Sequence, residues 1–311
     1  MNLPSLSMLM NLPSISLLVP TYNRADVIAR IQDSWMELRG LSQLVLVDDG
    51  STQDYGPLVA SLKEAGKAKG VEVVYLKSAT REGSPAAKNK GLAYCTGNFI
   101  LTTDDDITLD PDMAINLLAA GEHKGPKAVM GARVVYRKDG ESEEEALRRA
   151  QLDHSTYFNA RGLTVVPWSE QVEPVRTPFV TAVALWPADL FKQGLRYFTE
   201  YGGNGYREET DPQLTAQSTY GASVWYCANA ICYHLPPSQA YGQKSGQRRG
   251  GWLWYEYWVM KNNVTFLRRH GKWLKNDWNI SPTMAFMGLA WDRFGGPRWK
   301  ALFRKLGLKC W

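Results

Sequence analysis

Thr102-Thr103-Asp104-Asp105-Asp106-Ile107-Thr108 follows directly on Asn98-Phe99-Ile100-Leu101, and Pro111 comes soon after. A short apolar run bounded by a polar turn reads as a buried strand. The acids then emerge at its C-terminal end, the edge where open α/β sheets hold their ligands. Three adjacent negative charges repel one another and call for a cation. A hard divalent ion bound through carboxylate oxygens, one that also holds substrate phosphates, suits them. A short Asp run on its own is most often a solvated turn, so the residues upstream decide the reading.

Those residues alternate between strand and helix. Ser16-Leu17-Leu18-Val19-Pro20 reads as a strand, Thr21-Tyr22-Asn23-Arg24 as a loop, and Ala25 to Leu38 as a helix. Leu44-Val45-Leu46-Val47 is the next strand and delivers Asp48-Asp49-Gly50-Ser51. A helix from Pro57 to Lys69, a strand over Val71–Leu76 and a helix over Ser84–Tyr94 follow, with Pro85 near the start of the last and Gly97 after it. Right-handed crossovers between such units build a doubly wound, mostly parallel sheet. Two strand ends now carry carboxylates, and Arg81-Glu82-Gly83-Ser84 adds a cation beside them. No G-x-x-x-x-G-K-[ST] loop and no G-x-G-x-x-G turn occurs, so a glycine loop does not cradle the phosphates.

V-P-T-Y-N-R, V-D-D-G-S, A-A-K-N-K-G-L-A and T-D-D-D, in that order and spacing, resemble the nucleotide-binding half of family 2 glycosyltransferases with the GT-A fold. The match covers roughly residues 15 to 112. It implies a nucleotide-sugar-binding half joined to an acceptor-binding half. It implies a nucleoside held by Pro20, Thr21, Tyr22, Arg24 and Asp48, with Asp49 beside them, and a diphosphate near Arg81 and Lys88. Asp104 and Asp106 are the implied Asp-x-Asp pair for Mn²⁺ or Mg²⁺, Asp106 the more direct ligand, and Asp105 between them counts with the donor-binding residues. Lys88 stands where Arg is usual; it keeps the charge and loses the planar fork.

The second half reads less regularly. Ala128–Tyr136 is a strand, a charged helix runs toward Leu152, and residues 153–178 with Pro167, Pro174 and Pro178 form a crossover or loop. Val180–Trp186 resumes an apolar run. Gly202-Gly203-Asn204-Gly205-Tyr206-Arg207-Glu208-Glu209-Thr210-Asp211-Pro212 then delivers three acids to the start of a helix. Acids in a first turn also complement the helix dipole. The resemblance implies a catalytic base here: Glu209, where Asp is usual, with Asp211 as the alternate. Inverting transfer needs one such carboxylate to take the acceptor hydroxyl's proton. Ala222–Cys227 and Ala230–His234 read as strand-like runs, and a His at this place in GT-A enzymes often completes the metal site, which implies His234. The Q-x-x-R-W signature of processive synthases is absent, which favours one sugar per encounter.

The chain has 311 residues, 44% hydrophobic and 22% charged, with a net charge of +5. These totals are those expected of a soluble globular protein. Met1-Asn2-Leu3-Pro4-Ser5 recurs as Met10-Asn11-Leu12-Pro13-Ser14, and residues 1–14 read as an extension. The expected organisation is then 15–136 for the donor half, 137–240 for the acceptor and catalytic half, and 241–311 for an aromatic, basic helical region with a loop over Tyr241–Arg249. The stretch from Arg293 to Trp311 carries six Lys/Arg and no acid. Its interleaved Trp, Phe and Leu predict peripheral membrane contact, with no nucleic-acid partner. Cysteines without pairing patterns, no apolar run of spanning length and no basic leader predict a cytoplasmic protein, peripheral at most on the inner membrane face.

The expected function is metal-dependent, inverting transfer of one sugar from a nucleoside diphosphate donor, UDP foremost with GDP or dTDP as alternatives. The acceptor is a hydroxyl on a glycan or lipid-linked saccharide. A retaining GT-A transferase, a sugar nucleotidyltransferase and a non-catalytic sugar- or membrane-binding protein are the rival readings.

Overall fold

The structure is a computed structural model and describes residues 13–240 and 251–295. The repeated start before Pro13, the 241–249 loop and the basic tail beyond Gly295 lie outside the described residues. Two compact units are present. One comprises the described residues of Met1–Tyr157, Pro167–Thr199 and Glu208–Lys244; the other comprises those of Phe158–Val166, Glu200–Arg207 and Ser245–Trp311.

In chain order the elements are β1 (Ile15–Thr21), α1 (Ala25–Met36), β2 (Leu41–Asp48), α2 (Gly56–Lys69), β3 (Glu72–Lys77), α3 (Ser84–Leu92), β4 (Phe99–Thr102), β5 (Ile107–Leu109), α4 (Met113–Gly121), β6 (Ala128–Tyr136) and α5 (Glu143–Gln151). Then come β7 (Phe158–Asn159), β8 (Thr164–Val165), β9 (Val175–Arg176), β10 (Ala184–Pro187), α6 (Ala188–Lys192), α7 (Asp211–Tyr220), β11 (Ser223–His234), α8 (Pro237–Ala240), α9 (Gly251–Trp278), α10 (Pro282–Ala290) and a π-helical turn, Trp291–Gly295.

The first unit is built on a nine-stranded sheet in the order β3-β2-β1-β4-β10-β6-β11-β5, with β9 also on β11. The long ladders are parallel: β3 on β2, β2 on β1, β1 on β4, and β6 on β11. Strand β10 enters antiparallel between β4 and β6, and β5 and β9 lie antiparallel on β11. Strand β1 is buried along its whole length. The apolar face of α1 (Val27, Ile28, Ile31, Trp35) packs with Leu17, Val19, Leu44 and Leu46 in one core, the burial that a 3.6-residue period predicts. Helix α2 starts at Gly56-Pro57 and stops at Gly70. Helix α5 begins with a reciprocal Ser142/Glu145 capping box.

Register places the functional edge. Thr21 pairs with Asp48, Asp48 with Lys77, and Leu18 with Thr102, so the polar ends of β1, β2 and β4 open on one side. Two details depart from the expected elements. The acid turn leads straight into a three-residue strand, β5, held by β11 and by Trp35 Nε1–H donating to the Ile107 carbonyl at 2.8 Å. The two runs ending at His234 are one strand, β11, interrupted by a register shift between Cys227 and Ile231.

In the second unit β7 and β8 form a two-stranded ribbon. Gly203 lies at φ +63°, where an added Cβ would fall 2.2 Å from the Trp258 ring, so glycine alone fits against α9. Asn262 Nδ2 donates to the Gly202 carbonyl at 2.8 Å, and Arg207 Nε donates to Asn263 Oδ1 at 3.0 Å. Arg293 grips the buried Glu256 through two hydrogen bonds, of 2.7 and 2.8 Å. Met284, Met287 and Trp291 follow at helical spacing and are 63%, 58% and 57% exposed. Among the described residues no helix is long and apolar enough to cross a membrane.

Candidate active site

The loop after β1 is stitched to the loop after β2. Asn23 sits at φ +53°, which asparagine tolerates better than most side chains. Its Oδ1 accepts from the backbone of Thr52 (2.9 Å) and Gln53 (3.1 Å), and its own N–H donates to Ser51 Oγ at 2.8 Å. Gly50, at φ +75°, lets the turn pass Thr80, whose carbonyl carbon would lie 2.5 Å from an added Cβ. Tyr22, Thr21 and Arg24 are thereby presented along the open edge.

Asp48 is fully buried. One oxygen accepts from the Ser51 N–H at 2.7 Å and the other from Tyr75 OH at 2.8 Å. Asp49 accepts from the backbone N–H of Glu82 (2.7 Å) and Gly83 (2.8 Å), so it pins the loop that starts α3. Arg81 from that loop lies 4.4 Å over the Tyr22 ring.

A directed relay ends on the acid turn. Arg24 N–H donates to Tyr55 OH (3.0 Å), Tyr55 OH lies 2.8 Å from Thr21 Oγ1, and Thr21 Oγ1 donates to Asp105 Oδ2 (2.8 Å). The donors at either end require the phenol to donate to Thr21 in the middle. Arg24 Nη1 then bridges Asp105 Oδ1 at 2.8 Å and Asp106 Oδ2 at 2.7 Å. On the other side His234 Nε2 stands 3.5 Å from Asp106 Oδ1. His234 Nδ1 lies 2.7 Å from the Leu235 carbonyl, which fixes the ring with Nε2 turned toward the carboxylate.

A second charge cluster adjoins the first. Lys88 is buried, with Nζ 3.6 Å from Glu208 Oε1 and 5.2 Å from the centre of the Tyr197 ring. The neighbouring Asn89 holds that tyrosine by reciprocal bonds to its backbone, of 2.8 and 2.9 Å. Burial lowers the Lys88 pKa, but Glu208, Glu209, Tyr197 and Asp104 outweigh it and the ammonium is held charged. Gln213 in α7 clamps the Glu209 carbonyl (2.9 Å) and the backbone of Val180 (2.7 and 2.9 Å). Asp211, fully buried, opens α7.

The carboxylates are short of positive charge. Burial pushes Asp104 up, with Asp106 adding to the effect and Lys88 opposing it. Burial takes Asp105 to about 6 against the pull of Arg24. Burial raises Glu208, and burial together with the Asp104 charge takes Glu209 to about 8. Desolvated acids beside an imidazole nitrogen and a carboxylate oxygen facing one another suit a hard cation. Among the described residues no three Asp, Glu, His or Cys side chains already surround one point that could hold an ion. An ion at Asp106 and His234 would complete its shell from a phosphate-bearing ligand and water.

The residues singled out in the sequence therefore come together in the first unit: the β1 loop on Asp105 and Asp106, His234 on Asp106, and Lys88 on Glu208. Tyr55, Tyr75, Tyr197 and Gln213 were not anticipated. Tyr75 carried a signal, an aromatic near the end of a strand paired with the Asp48-bearing strand. The other three act through contacts that no spacing reveals.

Comparison with known proteins places this arrangement. The description of glycosyl transferase family 2 matches residues 16–174. An uncharacterized glycosyltransferase of Rickettsia conorii is 27% identical over 60% of this chain and 29% of its own length. An undecaprenyl-phosphate 4-deoxy-4-formamido-L-arabinose transferase of Pseudomonas fluorescens is 30% identical over 43% of this chain and 38% of its own. The chain thus spans well under half the length of these relatives. Among solved structures, the mannosyltransferase PcManGT of Pyrobaculum calidifontis, in complex with GDP-Man and Mn²⁺, superposes with a TM-score of 0.56 at 18% identity, covering 96% of this chain and 76% of that one. Staphylococcus aureus TarS 1-349 with UDP-GlcNAc gives 0.55 at 13% identity, covering 92% and 77%. The fold is that of GT-A glycosyltransferases, and with more than half of its length matched the chain belongs to glycosyl transferase family 2.

Proposed function

We propose that the chain transfers one glycosyl group from a nucleoside diphosphate sugar, UDP foremost, to a hydroxyl of a glycan or lipid-linked saccharide, with inversion and with a divalent ion. The observation that carries this is the convergence of Arg24, Asp106 and His234 at one end of the acid turn, beside the Lys88–Glu208 pair and Glu209. Relatives and structural neighbours named for sugar transfer or bound to nucleotide sugars support it.

In this reading Pro20, Thr21, Tyr22, Arg24 and Asp48 hold the nucleoside, with Asp49 beside them, and Arg81 and Lys88 stand near the diphosphate. Asp106 and His234, with Asp104 alongside, would hold Mn²⁺ or Mg²⁺. When bound, the ion supplies charge stabilisation to the departing diphosphate, so no acid residue is needed. Glu209 is the base. Burial and the Asp104 charge raise its proton affinity toward neutral pH, where a general base works best. Asp211, buried at the start of α7, is the alternate.

The exposed Met284, Met287 and Trp291 support a peripheral membrane role for the basic C-terminal region. The experiment is a hydrolysis screen over a panel of UDP-, GDP- and dTDP-sugars with Mn²⁺, Mg²⁺ and chelator. Turnover of one donor, lost with chelator, supports the reading; no turnover of any donor under any condition overturns it.

A further inference from the structure

An open cavity of about 670 Å³ lies on the first unit, lined by Arg149, Leu152, Asp153, His154, Ser155 and Trp168. Its aromatic wall is fixed in place. Trp168 Nε1–H donates to Asp153 Oδ2 at 2.7 Å, and Asp153 Oδ1 accepts from the Ser155 N–H at 3.0 Å. Trp168 also packs against the cluster of Val135, Ala146, Ala150 and Tyr233. The ring meets Tyr136 edge-on, with centroids 6.0 Å apart, and Tyr136, 41% exposed, stacks on His234 at 4.7 Å. The cavity therefore begins two ring contacts from the imidazole beside Asp106.

The walls favour a neutral, hydroxyl-rich ligand. Arg149 is gripped by Glu141 through bonds of 2.8 and 2.9 Å, which spends its charge and leaves little to attract an anion. A held, partly exposed indole sits at one shallow opening with a carboxylate that has lone pairs to spare, an imidazole and a serine hydroxyl, a ring edged by hydrogen-bonding groups. Pyranose rings present that pattern in reverse: an apolar C–H face edged by hydroxyls.

We infer that this cavity, with Tyr136 at its inner rim, is a carbohydrate subsite that holds the sugar units of an oligosaccharide acceptor behind the hydroxyl being glycosylated. The inference rests on the proposed transfer reaction for its orientation, but the binding it asserts needs neither donor nor turnover. It makes the acceptor a chain of sugars and makes recognition length-dependent.

The test is a titration of the full chain with linear gluco-, manno- and N-acetylglucosamine oligosaccharides of one to six units, followed by calorimetry and saturation-transfer NMR, with and without UDP and Mn²⁺. One series is expected to bind with affinity rising at least tenfold from one unit to three or four. Trp168→Ala is expected to abolish that gain. Because Trp168 also packs on the core, Ser155→Trp, which fills the cavity from an exposed position, is the second variant and should abolish it equally. No saccharide binding under either condition, no gain with length, or full binding by a folded Ser155→Trp protein overturns the inference. Failure of the transfer reading appears elsewhere, as absence of nucleotide-sugar turnover.

Discussion

Arg24 Nη1 lies 2.7 Å from Asp106 Oδ2, so the cation nearest this carboxylate comes from the loop assigned to the donor. Any metal ion bound by Asp106 has to share it with that guanidinium. Replacing Arg24 with methionine removes the competitor, and Mn²⁺ binding to the nucleotide-free protein should tighten about tenfold, a small part of the few kcal/mol that a close charge pair is worth near a surface. Calorimetry or Mn²⁺ EPR measures it; unchanged affinity would mean that the ion does not use Asp106. Asp106→Asn should instead cut metal-dependent donor hydrolysis on the order of 10²-fold, leaving a residue of activity insensitive to chelator.

Glu209 and Asp211 are separated by what each is built to do. Glu209 is half-buried beside Lys88 and Asp104, while Asp211 is fully buried in the first turn of α7, where a carboxylate also complements the helix dipole. Glu209→Gln should keep nucleotide affinity and lose roughly 10²–10⁴-fold in transfer. Asp211→Asn should chiefly lower the denaturation midpoint. Near-normal transfer by Glu209→Gln moves the base to Asp211.

The same glutamate predicts a pH dependence of stability. Burial, with the Asp104 charge, places its folded pKa at about 8, above the ordinary glutamate value. Proton binding therefore favours the folded state at low pH, and that contribution is lost as pH rises from the unfolded value through about 8. Glu209→Gln cannot ionise, so its melting temperature should match the parent near pH 5 and exceed it near pH 9. Parallel curves across that range would contradict the assignment.

Membrane contact is tested through the exposed row on α10 and the turn that follows. Met284, Met287 and Trp291 offer an apolar stripe leading into a region rich in Lys and Arg. Binding to vesicles containing anionic lipid is expected at low salt and should weaken sharply by 0.5 M NaCl as screening shortens. Met287→Ser with Trp291→Ser should weaken it further. Equal binding to purely zwitterionic vesicles would remove the electrostatic half of the account.

The parallel half of the sheet was legible because each of its strands is an apolar run that stops at a polar turn, and those stops (Thr21, Asp48 and Thr102) share one edge by register. A proline near the start and a glycine after the end marked α3 for the same local reason. What escaped is non-local. Strand β5 is too short to carry a pattern and exists because β11, more than a hundred residues later, pairs with it. The unity of β11 depends on β6 running alongside through its bulge. Arg24, read as a donor-binding residue, also bonds Asp105 and Asp106, and the Tyr55 hydroxyl that links this loop to the acid turn sits on a residue with no motif around it. Spacing shows which residues reach an edge; partners across that edge are decided by packing.

Asp49 separates a scaffold role from ligand contact. Both of its oxygens accept backbone N–H groups, from Glu82 at 2.7 Å and Gly83 at 2.8 Å, and it is 4% exposed. Its removal would orphan two donors at the start of the helix that carries Lys88 and Asn89. Hydrogen bonds to a charged acceptor contribute about 1.5–3 kcal/mol each. Asp49→Ala should therefore destabilise the fold by about 3 kcal/mol, read as a lowered urea midpoint with unchanged slope. Asp49→Asn keeps one acceptor oxygen and should lose about half as much. If Asp49 instead contacts the nucleoside directly, both variants would weaken nucleotide binding with little change in midpoint. Midpoint and nucleotide affinity measured on the same two proteins distinguish the roles.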